Sequence, residues 1–273
     1  MCIRDRYRST NGGDAWTRIN NGLLNLRIIA LSTNGVYVFA GIENGGIFRS
    51  SDNGNTWEQA SYGLVNFNVN SFAVKGNTIF AGTIDGIFVS HDNGAFWAPV
   101  NDGLDSTNIR ALLVSGTNIY AATNGGVYFS YNDGVSWSAV NAGLTTLNTY
   151  SLAAYDTNIF VGTFSEGVFL STDGGSSWAP ARNGLPNLNI RELSNIGTDV
   201  FAGTSGGVFL STNNGESWEA VNNGLTGISV VALAVNEGKL FAGTNHDGLF
   251  VTNNNGSLWA PCNNGISLSL IHI

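Results

Sequence analysis

Five polar residues break the local pattern of the chain and have side chains that could bind a ligand. Four of them recur about 40 residues apart, at a place in a short apolar segment where other copies carry Ile29 or Val231. Arginine binds carboxylates through charge-assisted hydrogen bonds, while tyrosine and asparagine add donors and acceptors that give selectivity. We therefore predict a site for a carboxylate ligand or an acidic side chain of a partner, formed by Asn70, Arg110, Tyr150, Arg191 and Glu192.

A second set of ionisable residues lies in predicted turns, and a solvated surface explains them as well as a site does. The same alternative stays open for the five residues above. Nothing in the sequence has metal-ligand spacing, a Ser-His-Asp arrangement or a Gly-rich phosphate loop, so we predict no catalytic residue, no metal and no cofactor. The turn residues are Glu43, Asp85, Glu166, His246 and Asp247.

The seven tryptophans define an internal repeat, since they follow one another at intervals of 40 or 41 residues. Each closes an octapeptide with Ser or Thr first, Asp or Asn third and Gly fifth, as in Ser50-SDNGNT-Trp57, and a further Gly follows six residues later. The third side chain can accept backbone hydrogen bonds within a turn, and the glycine supplies a positive φ. The third residue and the tryptophan of the successive octapeptides are Asn11 and Trp16, Asp52 and Trp57, Asp92 and Trp97, Asn132 and Trp137, Asp173 and Trp178, Asn213 and Trp218, and Asn254 and Trp259.

This octapeptide resembles the Asp-box, or bacterial neuraminidase repeat, S-x-D-x-G-x-x-W, over residues 7 to about 267. The resemblance implies a β-propeller in which the boxes stabilise the fold and lie away from binding sites. Each repeat reads as four short strands, for example Ile190 to Asn195, Asp199 to Gly203, Val208 to Ser211 and Ser217 to Val221. From seven boxes we predict an all-β, seven-bladed propeller with six complete four-stranded blades and one incomplete blade.

In such a propeller the first strand of each blade lies nearest the axis. The pattern-breaking residues stand at the start of that strand, so they would converge at one mouth of the channel although they are far apart in sequence. Leu31, Phe72, Leu112, Leu152, Leu193 and Leu233, two positions further on, are predicted core residues.

The composition of the chain limits the kinds of partner that it can bind. The formal charge of -8 argues against nucleic acid, and no apolar run is long enough to insert into a membrane. Few lysines with abundant Gly, Asn, Ser and Thr favour an extracellular or cell-surface protein. We expect a monomeric module within a larger chain, with an unknown protein or glycan partner.

Both ends of the chain match translations of a transposon adapter used in sequencing. Residues 1–6 read MCIRDR and residues 268–273 read LSLIHI. We therefore divide the chain into an adapter at 1–6, a propeller fragment at 7–267 and an adapter at 268–273.

Three functions fit these observations. The favoured interpretation is a non-catalytic secreted or surface scaffold that binds a protein or a glycan. The resemblance also suggests a sialidase-like or xyloglucanase-like glycoside hydrolase, or a partner-binding propeller like the photosystem II assembly factor. Against a sialidase, the connecting loops are too uniform to build the walls of a sugar pocket. The xyloglucanase alternative stays open, because such enzymes pair two propellers with a carboxylate on each.

Overall fold

The computed structural model describes residues 6–23 and 27–266, which form an all-β fold of short antiparallel strands. These residues divide into two compact units. The first contains residues 7–18 and 141–266. The second contains Arg6 and residues 19–23 and 27–140. Residues 1–5 and 267–273, and with them most of both predicted adapters, lie outside the described residues.

The second unit contains three four-stranded sheets, each a propeller blade built in chain order. Blade 1 is β3 (Ile28–Thr33), β4 (Val38–Ile42), β5 (Gly46–Ser50) and β6 (Glu58–Gln59). Blade 2 is β7 (Val69–Lys75), β8 (Thr78–Thr83), β9 (Gly86–Ser90) and β10 (Ala98–Pro99). Blade 3 is β11 (Ile109–Ser115), β12 (Asn118–Thr123), β13 (Gly126–Ser130) and β14 (Ser138–Ala139).

The first unit contains three further blades and one pair of strands. The pair is β1 (Tyr7–Arg8) and β2 (Thr17–Arg18). Blade 4 is β15 (Thr149–Tyr155), β16 (Asn158–Thr163), β17 (Val168–Ser171) and β18 (Ala179–Pro180). Blade 5 is β19 (Ile190–Ile196), β20 (Asp199–Thr204), β21 (Gly207–Ser211) and β22 (Glu219–Ala220). Blade 6 is β23 (Val230–Asn236), β24 (Lys239–Thr244), β25 (Leu249–Thr252) and β26 (Ala260–Pro261).

The prediction of seven blades with one incomplete blade is therefore wrong, because the described residues form six blades of four strands. The error came from counting octapeptides. An octapeptide needs only the two strands that flank it, and the first one joins β1 to β2 in a separate two-stranded sheet. Trp16, in the turn between β1 and β2, donates its indole N–H to the Cys262 carbonyl next to blade 6 at 2.8 Å.

Each blade has two distinct edges, which follow from its register. In blade 3, Ile109 at the start of β11 lies opposite Thr123 at the end of β12, and Thr123 lies opposite Gly126 at the start of β13. We call this the upper edge of a blade. The octapeptide connects the third strand to the fourth at the other end, which we call the lower edge.

Aromatic and branched side chains fill the space between neighbouring sheets of a unit. One cluster joins Phe80 of blade 2 to Ile109 and Trp137 of blade 3, and all three are buried. Leu31 is an exception among the predicted core residues, because it is 63% exposed. Its counterpart Leu233 packs toward Gly203 of the preceding blade, whereas blade 1 has no preceding blade within the second unit.

The octapeptides form tight turns with the hydrogen bonds expected from their sequence. In blade 1 the Ser50 hydroxyl donates to Asp52 Oδ1 at 2.8 Å and accepts from the Gly54 N–H at 2.7 Å. Asp52 Oδ1 also accepts the Thr56 N–H at 2.8 Å. Asn132 makes the equivalent bond to the Ser136 N–H at 3.0 Å, which explains why Asn replaces Asp in several copies.

Candidate functional site

A β-bulge marks the candidate position in all six blades. In blade 3, Ile109 lies opposite Thr123 and Ala111 lies opposite Ala122, so the register shifts by one residue at Arg110. A bulge bends the strand and turns the extra side chain away from the regular alternation of the sheet. The bulged residues are Ile29, Asn70, Arg110, Tyr150, Arg191 and Val231.

In the second unit the bulges place Asn70 and Arg110 on neighbouring blades at the upper edge. Asn70 Nδ2 donates to the Ile109 carbonyl at 2.8 Å. The Asn70 side chain therefore bridges blade 2 and blade 3, next to Arg110. Both side chains are half-buried. The structure therefore brings these two predicted residues into the same region.

In the first unit, Tyr150 of blade 4 belongs to an aromatic pair. Its ring stacks on Phe164 with centroids 5.6 Å apart and an interplanar angle of 28°. Phe164 lies in the turn that follows β16, and it is exposed. Phe164 was not predicted, because the turn residues were chosen from the sequence by their charge and Phe164 is uncharged.

Arg191 of blade 5 enters a polar network that extends to blade 6. Its Nη1 donates to the Ser229 hydroxyl at 3.1 Å, and Asn245 Nδ2 donates to the same oxygen at 3.0 Å. Ser229 thus accepts two hydrogen bonds and keeps its own hydroxyl hydrogen available to a ligand. Ser229 and Asn245 were not predicted, because each is an ordinary polar residue in a loop when the sequence is considered alone.

Glu192 occupies a position where the other blades carry Ala or Ser. It lies opposite Gly203 and is partly buried. Desolvation raises the pKa of Glu192 from 4.5 to about 8, while a backbone hydrogen bond from Leu193 opposes this shift. Within the described part of the chain, no ion pair joins Glu192 to Arg191. With a pKa of about 8 the carboxyl group is mostly protonated at neutral pH and can donate a hydrogen bond.

The predicted site thus falls into two groups, one in each unit. Asn70 and Arg110 form the first group, and Tyr150, Arg191 and Glu192 form the second. That all of them converge on one mouth remains a prediction.

The turn residues have mainly local partners. Glu43 pairs with Arg27 at 3.0 Å, and Glu166 pairs with Arg182. His246 is exposed. Across residues 6–23 and 27–266, no group of three His, Cys, Asp or Glu side chains is placed to hold a metal ion. In the same ranges, no helix has the length and apolar character of a membrane span.

The octapeptide acids are held as anions by their own turns at the lower edges. Hydrogen bonds from the Thr56 hydroxyl and N–H lower the pKa of Asp52 to about 2, and those from Ser177 lower the pKa of Asp173 to about 2. These carboxylates are occupied by the turn that they stabilise. Their oxygens are consequently poor candidates for direct hydrogen bonds to a ligand, although their negative charge remains.

Comparisons with known proteins support the β-propeller fold. The family described as DUF6242 beta propeller domain matches residues 65–195. The extracellular domain of BT4673 from B. thetaiotaomicron is similar in structure, with a TM-score of 0.73 and 16% identity over 90% of this chain and 38% of that chain. The chain therefore spans well under half of that domain.

Two further solved structures are similar. The GH74 xyloglucanase from Xanthomonas campestris has a TM-score of 0.65 and 15% identity over 94% of this chain and 46% of that chain. YCF48 from Cyanidioschyzon merolae has a TM-score of 0.64 and 15% identity over 94% of this chain and 88% of that chain. No curated protein matches the sequence. At these identities the similarity establishes the fold and leaves the function open.

Proposed function

We propose that the chain is an Asp-box propeller module of an exported or surface protein, which binds a protein or glycan partner through the upper edges of its blades without catalysing a reaction. The observation that carries this proposal is the bulge at the start of the first strand of every blade. The octapeptides keep nearly the same residue types in every copy, whereas the bulged residues change from aliphatic to amide, cation and phenol. Variation at one geometrically equivalent position is what a binding surface on a repeated scaffold requires.

The chemistry at this position favours an acidic group on the partner. Arg110 and Arg191 supply positive charge in a chain of formal charge -8, and Ser229, Asn245 and protonated Glu192 supply neutral donors. Tyr150 and Phe164 offer ring faces for an apolar or sugar surface. The extracellular location draws support from BT4673, whose similar domain is extracellular.

A glycoside hydrolase is the second candidate, and Glu192 is the observation that favours it. A carboxyl group with a raised pKa is suited to general acid catalysis. Such hydrolases use a second carboxylate facing the first. Glu166, on the upper edge of the same unit, is already paired with Arg182. We therefore rank hydrolysis second.

The test is a binding screen of the whole chain against immobilised acidic glycans and candidate proteins. The double variant Arg110→Ala, Arg191→Ala should lose binding, because both cations of the two groups are removed. The matched control is the double variant Asp52→Asn, Asp173→Asn, which alters the lower edges with a residue that other copies already use. Loss of binding in the control alone, with folding intact, would mean that the opposite edge is the binding surface. Hydrolysis by the wild type that disappears in Glu192→Gln would favour the second candidate.

A further inference from the structure

An exposed aromatic pair in the second unit departs from the repeat. Tyr62 is 75% exposed and Phe96 is 47% exposed, and their ring centroids are 5.6 Å apart at an interplanar angle of 59°. Tyr62 precedes the repeated glycine, where the other copies have Asn, Asp or Ala, and Phe96 precedes the tryptophan, where most have Ala, Thr or Ser. The fold therefore does not need rings at either position.

The connection that begins at Tyr62 carries two more exposed apolar side chains. Val65 is 77% exposed and Phe67 is 45% exposed. Where this connection has Val65, those of the later blades have Asp105, Thr145, Pro186 and Thr226. We call Tyr62, Val65, Phe67 and Phe96 the Tyr62 patch. Tyr62 and Phe96 are in ring contact, while Val65 and Phe67 follow Tyr62 in the same connection. Exposed apolar side chains that include aromatic rings are typical of protein interfaces.

Two carboxylates accept hydrogen bonds from the segments that carry the patch. Asp85 Oδ2 accepts from Asn66 Nδ2 at 2.7 Å, and Asp92 Oδ1 accepts from the Phe96 N–H at 3.0 Å. That backbone hydrogen bond lowers the pKa of Asp92, so the group stays ionised at neutral pH. The border of the patch is thus negative.

One basic side chain lies beside this border, since Arg49 donates to the Asn93 carbonyl at 2.7 Å, but its ion pair is with Glu58 and not with Asp92. In the second unit, the ion pairs between described residues join Arg27 to Glu43, Arg49 to Glu58, and Lys75 to Asp133. Asp85 and Asp92 take part in none of the ion pairs found in the described ranges. An apolar centre with an unneutralised acidic border complements an apolar segment that carries positive charge.

We propose that the Tyr62 patch binds a polypeptide segment of a partner protein in which lysine or arginine residues flank an aromatic or large aliphatic side chain. The two rings are tilted by 59°. With their centroids 5.6 Å apart the rings pack against each other, so a partner side chain would lie against their exposed outer surfaces. A flat platform of the kind that stacks on a sugar ring would need the rings to be nearly coplanar.

The repeat itself provides the variants for a test. Tyr62→Asn and Phe96→Ser introduce residues that stand at these positions in other copies, so the double variant should fold normally. Tyr131→Ser is the matched control, because Tyr131 is an exposed tyrosine of the same unit outside the patch. The probe is a short fluorescein-labelled peptide in which Lys alternates with Leu and Trp, and binding to the whole chain is followed by fluorescence anisotropy.

The expected result is binding to the wild type and to Tyr131→Ser, with an affinity at least about tenfold weaker in the double variant. Asp85→Asn should also weaken binding, and a peptide with Glu in place of Lys should not bind. Equal binding to the wild type and the double variant would overturn the proposal, as would equal binding of the Lys and Glu peptides. So would a concentration-dependent dimer of the wild type that the double variant lacks, because the patch would then be covered by a second copy of the chain.

Discussion

An indole N–H of the octapeptide donates to a backbone carbonyl of the preceding blade at Trp97, Trp137, Trp218 and Trp259. Trp137 donates its indole N–H to the Val100 carbonyl at 2.9 Å and its backbone N–H to the Asp102 carbonyl at 2.8 Å. Its side chain is buried in the cluster that blades 2 and 3 share. The residue thus combines apolar burial with two hydrogen bonds across a contact between sheets.

Trp137→Ala should lower the free energy of unfolding by about 3 to 5 kcal/mol, because it leaves a large cavity between two sheets. Chemical denaturation measures this change. The control is Tyr131→Ala, which removes an exposed ring and should change the free energy by less than about 0.5 kcal/mol. Equal effects of the two substitutions would refute the role assigned to Trp137.

Glu192 should make the stability of the protein depend on pH. Its pKa in the folded state is about 8, above the ordinary value of 4.5. The folded state therefore holds a proton that the unfolded state releases between these values, and stability falls as the pH rises from 4.5 to 8. Glu192→Gln removes this dependence.

The measurement is the melting temperature of both proteins across this range. The advantage of Glu192→Gln over the wild type should be smallest at pH 4.5, should grow as the pH rises, and should level off above pH 8. A constant difference at all pH values would show that the Glu192 carboxyl group is well solvated.

Residue types alone identified part of the candidate site. Asn70, Arg110, Tyr150 and Arg191 were predictable because each differs from its counterparts in the repeat. Phe164, Ser229 and Asn245 were not, since their importance depends on which side chain of another segment they contact. The raised pKa of Glu192 depends likewise on its surroundings.

At the scale of elements, the repeat predicted the order of the strands and most of their limits. In blade 5 the predicted first strand, Ile190 to Asn195, is observed as Ile190–Ile196. The fourth strand is shorter than predicted, since only Glu219–Ala220 pairs with β21. The bulges were not predictable, because a one-residue register shift changes the pairing of a strand without changing its sequence pattern.

The glycine six residues after each of the first six tryptophans is required by a close approach to the next tryptophan along the chain, as Gly103 shows with Trp137. A methyl group on Gly103 would overlap the Trp137 carbonyl oxygen, whereas one on Gly116 would meet open space. Both glycines have positive φ, 81° and 59°. Both alanine substitutions therefore impose backbone strain, but only one adds a steric clash.

Gly103→Ala should consequently be more destabilising than Gly116→Ala, by about 1 to 3 kcal/mol, the usual range for overpacking. Urea denaturation of the two variants gives the comparison directly. Similar losses would mean that backbone conformation alone selects glycine after the tryptophan.

For the whole molecule, the sequence established the β-propeller fold and misjudged the number of blades. The assignment of residues 1–6 and 268–273 to an adapter stays a prediction. Of these residues the structure describes only Arg6, whose backbone N–H donates to Asn20 Oδ1 at 2.7 Å and whose Nη1 donates to the Leu23 carbonyl at 2.9 Å.

A chain shortened to residues 6–267 should melt at the same temperature as the full chain. Removing Arg6 as well should lower the melting temperature by a few degrees, because the buried Leu23 carbonyl and the partly buried Asn20 Oδ1 lose their donors, at a cost of about 1 to 3 kcal/mol. Differential scanning calorimetry of the three proteins provides the test. A large loss on removing 268–273 alone would show that those residues belong to the folded protein.

The bulges also make the molecule suitable for protein engineering. A bulged residue is released from the strict pairing of the ladder, so its side chain can be exchanged with little effect on the strands around it. Three such positions occur in each unit, at intervals of 40 or 41 residues that a synthetic gene can address one blade at a time. Randomising them would yield a combinatorial library of recognition surfaces on an unchanged framework, from which binders could be selected.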